Sequence, residues 1–285
     1  MEQKTTLVEC PRDALQGYSK WVPTEKKIAY YQSLLNVGFS ILDCGSFVSH
    51  KAIPQMSDTA EVINELDCTH STTKLLTIVA NVRGAEEAVK FNKISYLGYP
   101  LSISENFQMR NTGKTIQQSI PILSEIIRLA REANKNVVVY LSMGFGNPYG
   151  DPWSNEIIVD RVHELEAMGI QTISLSDTVG SAQYTGIYSL FSALIESFPK
   201  LEFGAHFHTH PNQWKDKMNA SYLAGCRRFD GTIMGRGGCP MAADHLVGNM
   251  PTEKIISFLS AQNSPLLLDL LAFESAYNKC LKLFN

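Results

Sequence analysis

The sequence predicts one (β/α)8 barrel filling residues 1–285, with a helical tail from about residue 264. Eight short apolar runs alternate with longer amphipathic stretches, the rhythm of strands and crossover helices. No linker or shift of composition divides the chain. No G-x-G-x-x-G follows the first apolar run, which disfavours the runner-up, an open doubly wound sheet.

The elements follow in order. Thr5–Cys10 reads as a strand, because apolar and β-branched residues are bounded by Pro11. Thr24 can cap a helix running to about Asn36. Ile41–Cys44 is a strand, followed by a helix from about Asp58 to Leu66. Leu75–Ala80 is a clear strand, with a helix from about Gly84 to Phe91. Ile94–Tyr99 is the fourth strand. Thr115–Asn134 is the longest helical stretch, with Ile116, Ile120, Leu123, Ile126, Ile127 and Ala130 on one face. Asn136–Leu141 and Gln171–Leu175 are strands, each followed by a helix, at about Asn155–Met168 and Ala182–Phe198. The seventh strand ends at His208 and leads into a helix at about Gln213–Ala224. Arg228–Thr232 is the eighth strand, and Thr252–Leu259 and Leu266–Leu283 close the chain as helices.

The composition fits a globular protein: 44% hydrophobic and 19% charged residues. A formal net charge of -3 gives no reason to expect a nucleic acid or an anionic membrane as partner. No apolar stretch approaches a membrane helix, and the polar start leads straight into a strand, so no signal peptide is expected. Six scattered cysteines without a C-x-x-C pair suggest reduced thiols and a cytoplasmic protein. Cys44, at a buried strand end, is expected to be an inert core thiol.

A barrel places its active site at the C-terminal ends of its strands. Arg12, Asp13, Asp43, Asn81, Asp177, His206 and His208 all fall there. His206 and His208 are two apart on a strand and share a face, as two ligands of one ion must. Asp13 can add an oxygen from the first strand end, and Arg12 beside it can stabilise an anion. Mixed nitrogen and oxygen ligands suit zinc, manganese or cobalt, and magnesium less well. His210 has the same parity but precedes Pro211, where the strand should end, so it is the weakest of the candidate ligands. Gln16, Asn81 and Ser142 are the expected substrate contacts. Gly235-Arg236-Gly237-Gly238-Cys239-Pro240 reads as a mobile loop on which Cys239 can close over the site and deliver a proton. Asn249, after Gly248 and before the next helix, can add an amide oxygen ligand. No Walker sequence is present, so ATP chemistry is not suggested.

These motifs together resemble the 3-hydroxy-3-methylglutaryl-CoA lyase family, barrel metalloenzymes that cleave or form carbon–carbon bonds. The similarity spans nearly the whole chain. It is carried by Pro11–Gln16, Ser46–Met56, Ser176–Gly180, His206–His208 and Gly237–Pro240, of which Ser46–Met56 is the most lyase-specific. The resemblance implies that Asp13, His206, His208 and Asn249 bind a divalent cation (Mg, Mn, Zn or Co), and that Arg12 stabilises an enolate. It gives Cys239 the loop thiol's role, sets Asp43 where the family has a glutamate, and makes Asp177 an active-site aspartate. It further implies an acyl-CoA thioester substrate, a homodimer and a place in leucine catabolism. The chain departs from the family at Ala14, at Gly17-Tyr18, at Thr209-His210, at Arg236 and Met241, and by one extra residue between Cys239 and Asn249. The base stays open between Asp43, Asp177 and another group. Two alternatives share the barrel: a Claisen-condensing acyltransferase and a non-catalytic acyl-CoA-binding protein. Ser46–Met56 and the Cys239 loop argue against the first, and the retained Arg12, Asp13, His206 and His208 against the second.

Overall fold

The computed structural model describes residues 4–238 and 247–285. Its strands are β1 (Thr6–Glu9), β2 (Ile41–Ser46), β3 (Lys74–Ile78), β4 (Ile94–Ser102), β5 (Asn136–Ser142), β6 (Thr172–Asp177), β7 (Glu202–Phe207) and β8 (Arg228–Gly231). They form a closed parallel barrel in sequence order, with β1 pairing both β2 and β8. The helices are α1 (Pro11–Gln16), α2 (Thr24–Leu35), α3 (Thr59–Glu65), α4 (Val82–Ala88), α5 (Glu105–Thr112), α6 (Ile116–Glu132), α7 (Asn155–Ala167), α8 (Tyr184–Ser197), α9 (Trp214–Leu223), α10 (Thr252–Ala261) and α11 (Leu270–Leu283). The (β/α)8 barrel and the helical tail are therefore as the sequence predicts. No helix among the described residues is long and apolar enough to cross a membrane.

Strand alternation sets two cores. Leu7, Leu42, Leu75, Leu97, Val139, Ile173, Phe203 and Phe229 face outward against the helices. Val8, Ile41, Leu76 and Val138 face inward and pack with Cys10, Ile78 and Tyr140. This plug lies below the mouth and closes the barrel as a packed core rather than a pore. Cys44 belongs to the outer core and is buried there. A shift of register between Asp43 and Gly45 marks a β-bulge in β2. Such a bulge re-aims the side chains beside it, here at the barrel mouth.

Two short helices escape the sequence periodicity. In α1 the motif residues themselves are helical, with Pro11 in the first turn, where its missing N–H costs nothing. In α5 the signals are local: Ser104 caps Phe107 N–H and Gly113 ends the helix in the left-handed conformation. With few apolar residues to bury, neither shows a long amphipathic stripe.

Glu9 fastens the seam between the first and last units. It points out of the barrel and is fully buried. Its carboxyl accepts from Ile233 N–H (2.9 Å) and pairs with the Thr252 hydroxyl at the start of α10. Burial pushes its pKa from 4.5 up to about 8, against the pull of those hydrogen bonds. The folded protein therefore binds a proton that the unfolded chain releases between those values. This stabilisation is complete below the unfolded pKa and is lost as the pH rises through about 8. We expect stability to fall between pH 5 and 8, with Glu9 contributing up to about 1.4 kcal/mol per pH unit. In Glu9→Gln, which carries no titrating proton, that slope should flatten. Urea unfolding of both proteins at the two pH values is the measurement, and equal slopes would remove Glu9 as the cause.

Candidate metal centre and anion site

Two elements far apart in sequence build the site. The first turn of α1 carries Arg12 and Asp13, and the end of β7 carries His206 and, just beyond it, His208. Ligand atoms of Asp13, His206 and His208 all lie within 4.8 Å of one another. Asp13 Oδ2 is 3.6 Å from His206 Nε2 and has no hydrogen-bond partner although it is buried. A buried carboxylate oxygen left bare between two imidazoles is a place where a cation fits. The backbone of His208 forms a β-bridge with that of Asn249, whose side-chain amide donates to Arg236 O at 2.9 Å. The structure thus brings Asp13, His206 and His208 together, with Asn249 beside them through its backbone bridge to His208. His210 lies at the exposed surface instead.

The tautomers follow from the partners. His208 Nδ1 lies 2.8 Å from the Thr178 carbonyl oxygen, which can only accept, so Nδ1 carries the hydrogen and Nε2 is free. His206 Nδ1 faces Asp230 Oδ2 at 3.1 Å, which leaves its Nε2 toward Asp13. Burial followed by the neighbouring His206 lowers the pKa of His208, so it stays neutral as a ligand must. Burial opposes ionisation of Asp13, but Arg12 and then the two histidines outweigh it and hold its pKa below the usual value. Cys10 also lies within reach of His206 and Asp230. Burial and the surrounding carboxylates push its pKa well up, so it remains a thiol rather than a ligand thiolate.

Arg12 is the cation of this mouth. Its Nε and Nη2 donate to Asp43 Oδ2 at 2.9 and 2.6 Å, and its Nη1 to Asp13 Oδ1 at 3.2 Å and to Gln16 Oε1 at 2.6 Å. Burial works against the charge, but Asp43 and Asp13 outweigh it and keep the guanidinium protonated. Burial pushes Asp43 up to about 6 even though Arg12 pulls the other way. Gln16 is thus engaged with Arg12, at the half-buried edge of the site. Ser142 ends β5 at the barrel mouth, half-buried.

Two expected site residues have other duties. Asp177 was expected to act in catalysis, but both its oxygens are occupied: Oδ1 accepts from Ser181 N–H and Oδ2 from Ala182 N–H and Lys217 Nζ. Lys217, itself buried, also donates to the carbonyls of Gly180 and His208. Asp177 therefore holds the loop after β6, whose Thr178 orients His208. Asn81 was expected to touch substrate, but its side-chain oxygen caps α4 by accepting from Gly84 N–H at 2.9 Å. Cys239 lies outside the described residues. Gly237 before it is required by close packing: a Cβ there, at φ +88°, would lie 2.4 Å from Asp13 O. The sequence reading missed Asp230 and Lys217. For Asp230 the available signal was inward parity with Arg228 on β8; for Lys217, one charge among several on a helix, there was none.

Comparison with known proteins identifies the family. The HMGL-like family model matches residues 5–279. A hydroxymethylglutaryl-CoA lyase of Bacillus subtilis is 33% identical over 258 residues, 90% of this chain and 85% of that protein. A 3-hydroxy-3-isohexenylglutaryl-CoA/hydroxymethylglutaryl-CoA lyase of Pseudomonas aeruginosa is 30% identical, covering 91% and 86%. The solved HMG-CoA lyase of Acinetobacter baumannii, in complex with coenzyme A and 3-methylmalate, superposes with a TM-score of 0.90 at 30% identity. That match covers 99% of this chain and 91% of the other.

Two experiments probe the centre. The purified protein should carry a divalent cation, and elemental analysis should show it lost from Asp13→Ala and His206→Ala; full occupancy in both variants would refute the ligand set. Lys217→Met should destabilise the fold by about 3–5 kcal/mol, because it strands Asp177 buried without a counter-charge. Urea unfolding measures this, and a loss below about 1 kcal/mol would mean that the pair does not hold the loop.

Proposed function

The chain belongs to the HMGL-like family and is a carbon–carbon lyase, and we propose that it cleaves 3-hydroxy-3-methylglutaryl-CoA, or a close 3-hydroxyacyl-CoA, to acetyl-CoA and a keto acid such as acetoacetate. The observation that carries this reading is the juxtaposition of a charged Arg12 with the Asp13–His206–His208 cluster at the mouth of the barrel. The names of the relatives support the substrate class, and the coenzyme A bound to the Acinetobacter enzyme supports a CoA thioester.

The reaction needs two opposite tasks done side by side. The tertiary hydroxyl must pass its proton to a base of the site so that its electrons form the ketone. The adjacent C–C bond then breaks, and its electron pair passes to the thioester as an enolate, which takes a proton to give acetyl-CoA. A divalent cation held by Asp13, His206, His208 and Asn249 would polarise the hydroxyl and lower its pKa. Arg12 answers the second task. Four of its five N–H groups are engaged, which fixes the plane of the guanidinium and leaves one Nη2 hydrogen for the enolate oxygen. The enolate carbon must receive a proton, and we assign its delivery to Cys239, because Gly237, two residues before it in the chain, packs on Asp13. The five described cysteines other than Cys239 are unpaired, which supports the reducing compartment proposed for this protein. The proposed homodimer has apolar surface available at Leu267, Leu270 and Leu271.

Metal-loaded protein given a panel of 3-hydroxyacyl-CoA thioesters should release acetyl-CoA; no cleavage of any member would refute the substrate class. Arg12→Met should lower kcat by about 10²–10³ or more. It should keep its fold, because Asp43, already raised to about 6, takes up a proton once its partner is gone. Circular dichroism and turnover measured together check this, and near-normal turnover would make Arg12 structural.

A further inference from the structure

We propose that Asp230 is a positioning residue that takes the Nδ1 hydrogen of His206 and so presents the Nε2 lone pair to the Asp13–His208 cluster. This deepens the proposed function and rests on the metal centre described above. His206 and Asp230 are register partners on β7 and β8. Both side chains point into the barrel, and Asp230 Oδ2 meets His206 Nδ1 at 3.1 Å. Ser174 Oγ, on the inner face of β6, donates to the same oxygen at 3.2 Å. The carboxylate is 2% exposed, so water does not compete for it. The Tyr140 ring packs edge-on against His206, with centroids 5.5 Å apart, and limits its rotation.

The two nitrogens of an imidazole lie on different edges of the ring. Asp230 on the Nδ1 side therefore cannot share an ion with Nε2; it acts through the ring. An imidazole without this acceptor can carry its hydrogen on Nε2, where it blocks ligation. With the acceptor, the tautomer is fixed and the ring is the more basic ligand. The buried Arg228, two residues earlier on the same face, feels the Asp230 charge, and that charge favours the guanidinium. Asp230 is thus set in a polar interior that tolerates an anion. His208 is fixed in the corresponding way by the Thr178 carbonyl. The two histidines thus receive the same orientation from chemically different acceptors, one charged and one neutral. The charged acceptor is paired with the histidine nearest Asp13.

The test has two arms on folded, metal-free protein: the tautomer of His206 from ¹⁵N–¹H histidine spectra, assigned by its loss in His206→Ala, and the Kd for Mn²⁺ from titration calorimetry. In the wild type His206 should be protonated on Nδ1. In Asp230→Ala the Nε2–H form should appear, and the Kd should weaken by about 10–100-fold. In Asp230→Asn, whose amide oxygen can still accept, the Nδ1–H form should persist and the Kd should weaken by less than about tenfold. This variant also carries the test should Asp230→Ala fail to fold. The proposal is overturned if the tautomer of His206 is the same in all folded variants, or if the wild type binds Mn²⁺ and Asp230→Ala binds it within about twofold. If the wild type binds no Mn²⁺, or Asp13→Ala binds it equally well, the metal centre is what fails. The tautomer arm then decides the role of Asp230 by itself.

Discussion

A buried cation, Arg12, is the constraint on which the mouth of this barrel depends. Asp13, Asp43 and Asp230 are all at most 3% exposed, and ionised carboxylates are not left in such places without compensation. Arg12 spans two of them and is 8% exposed itself. By holding Asp13 ionised it keeps an acceptor-only oxygen bare beside the two histidines. By sharing Asp43 it fixes its own plane. The same group is then positioned for an anion that forms during the reaction. One interaction thus serves both ligand charge and catalysis, so both would be altered by its loss.

That arrangement is possible because only Cys10 separates α1 from β1. Pro11 opens the helix and Arg12 and Asp13 occupy its first turn, so both side chains emerge at the level of the strand ends. The β2 bulge brings Asp43 to meet them. Gly237 lets the segment after β8 approach the Asp13 carbonyl, a contact that a Cβ would forbid. The site is therefore framed by close backbone approach on one side and by an ion pair on the other.

Orientation of the ligands comes from beyond the cluster. Thr178 O fixes His208, Asp230 fixes His206, and Arg236 O holds the amide of Asn249. Thr178 is itself held in place by Asp177 and Lys217, which tie the loop after β6 to the backbone of His208. At Arg236, where the chain departs from the lyase-like pattern, the backbone carbonyl makes the contact, so the change of side chain leaves this support in place. The guanidinium itself lies over the Phe284 ring, away from Asn249.

The strands and long helices were legible in the sequence because their signals are local: a short continuous apolar run in β5, and a capped apolar stripe in α6. Strand parity also placed His206 and His208 on one face, and the order of elements put Asp13 at the same end of the barrel. The sequence by itself determined which residues stand at the strand ends. Asp13, Asp177 and Asn81 look alike in that respect. Only the tertiary structure decided that Asp13 stands beside the two imidazoles, that Asp177 is neutralised by Lys217, and that Asn81 is used up by its own helix. It also decided that Asp230, read merely as part of a strand, stands behind His206. The physical reason is that a side chain's role depends on what closes around it. Barrel closure, the β2 bulge and buried pairs join residues about 200 positions apart, and no local pattern encodes them.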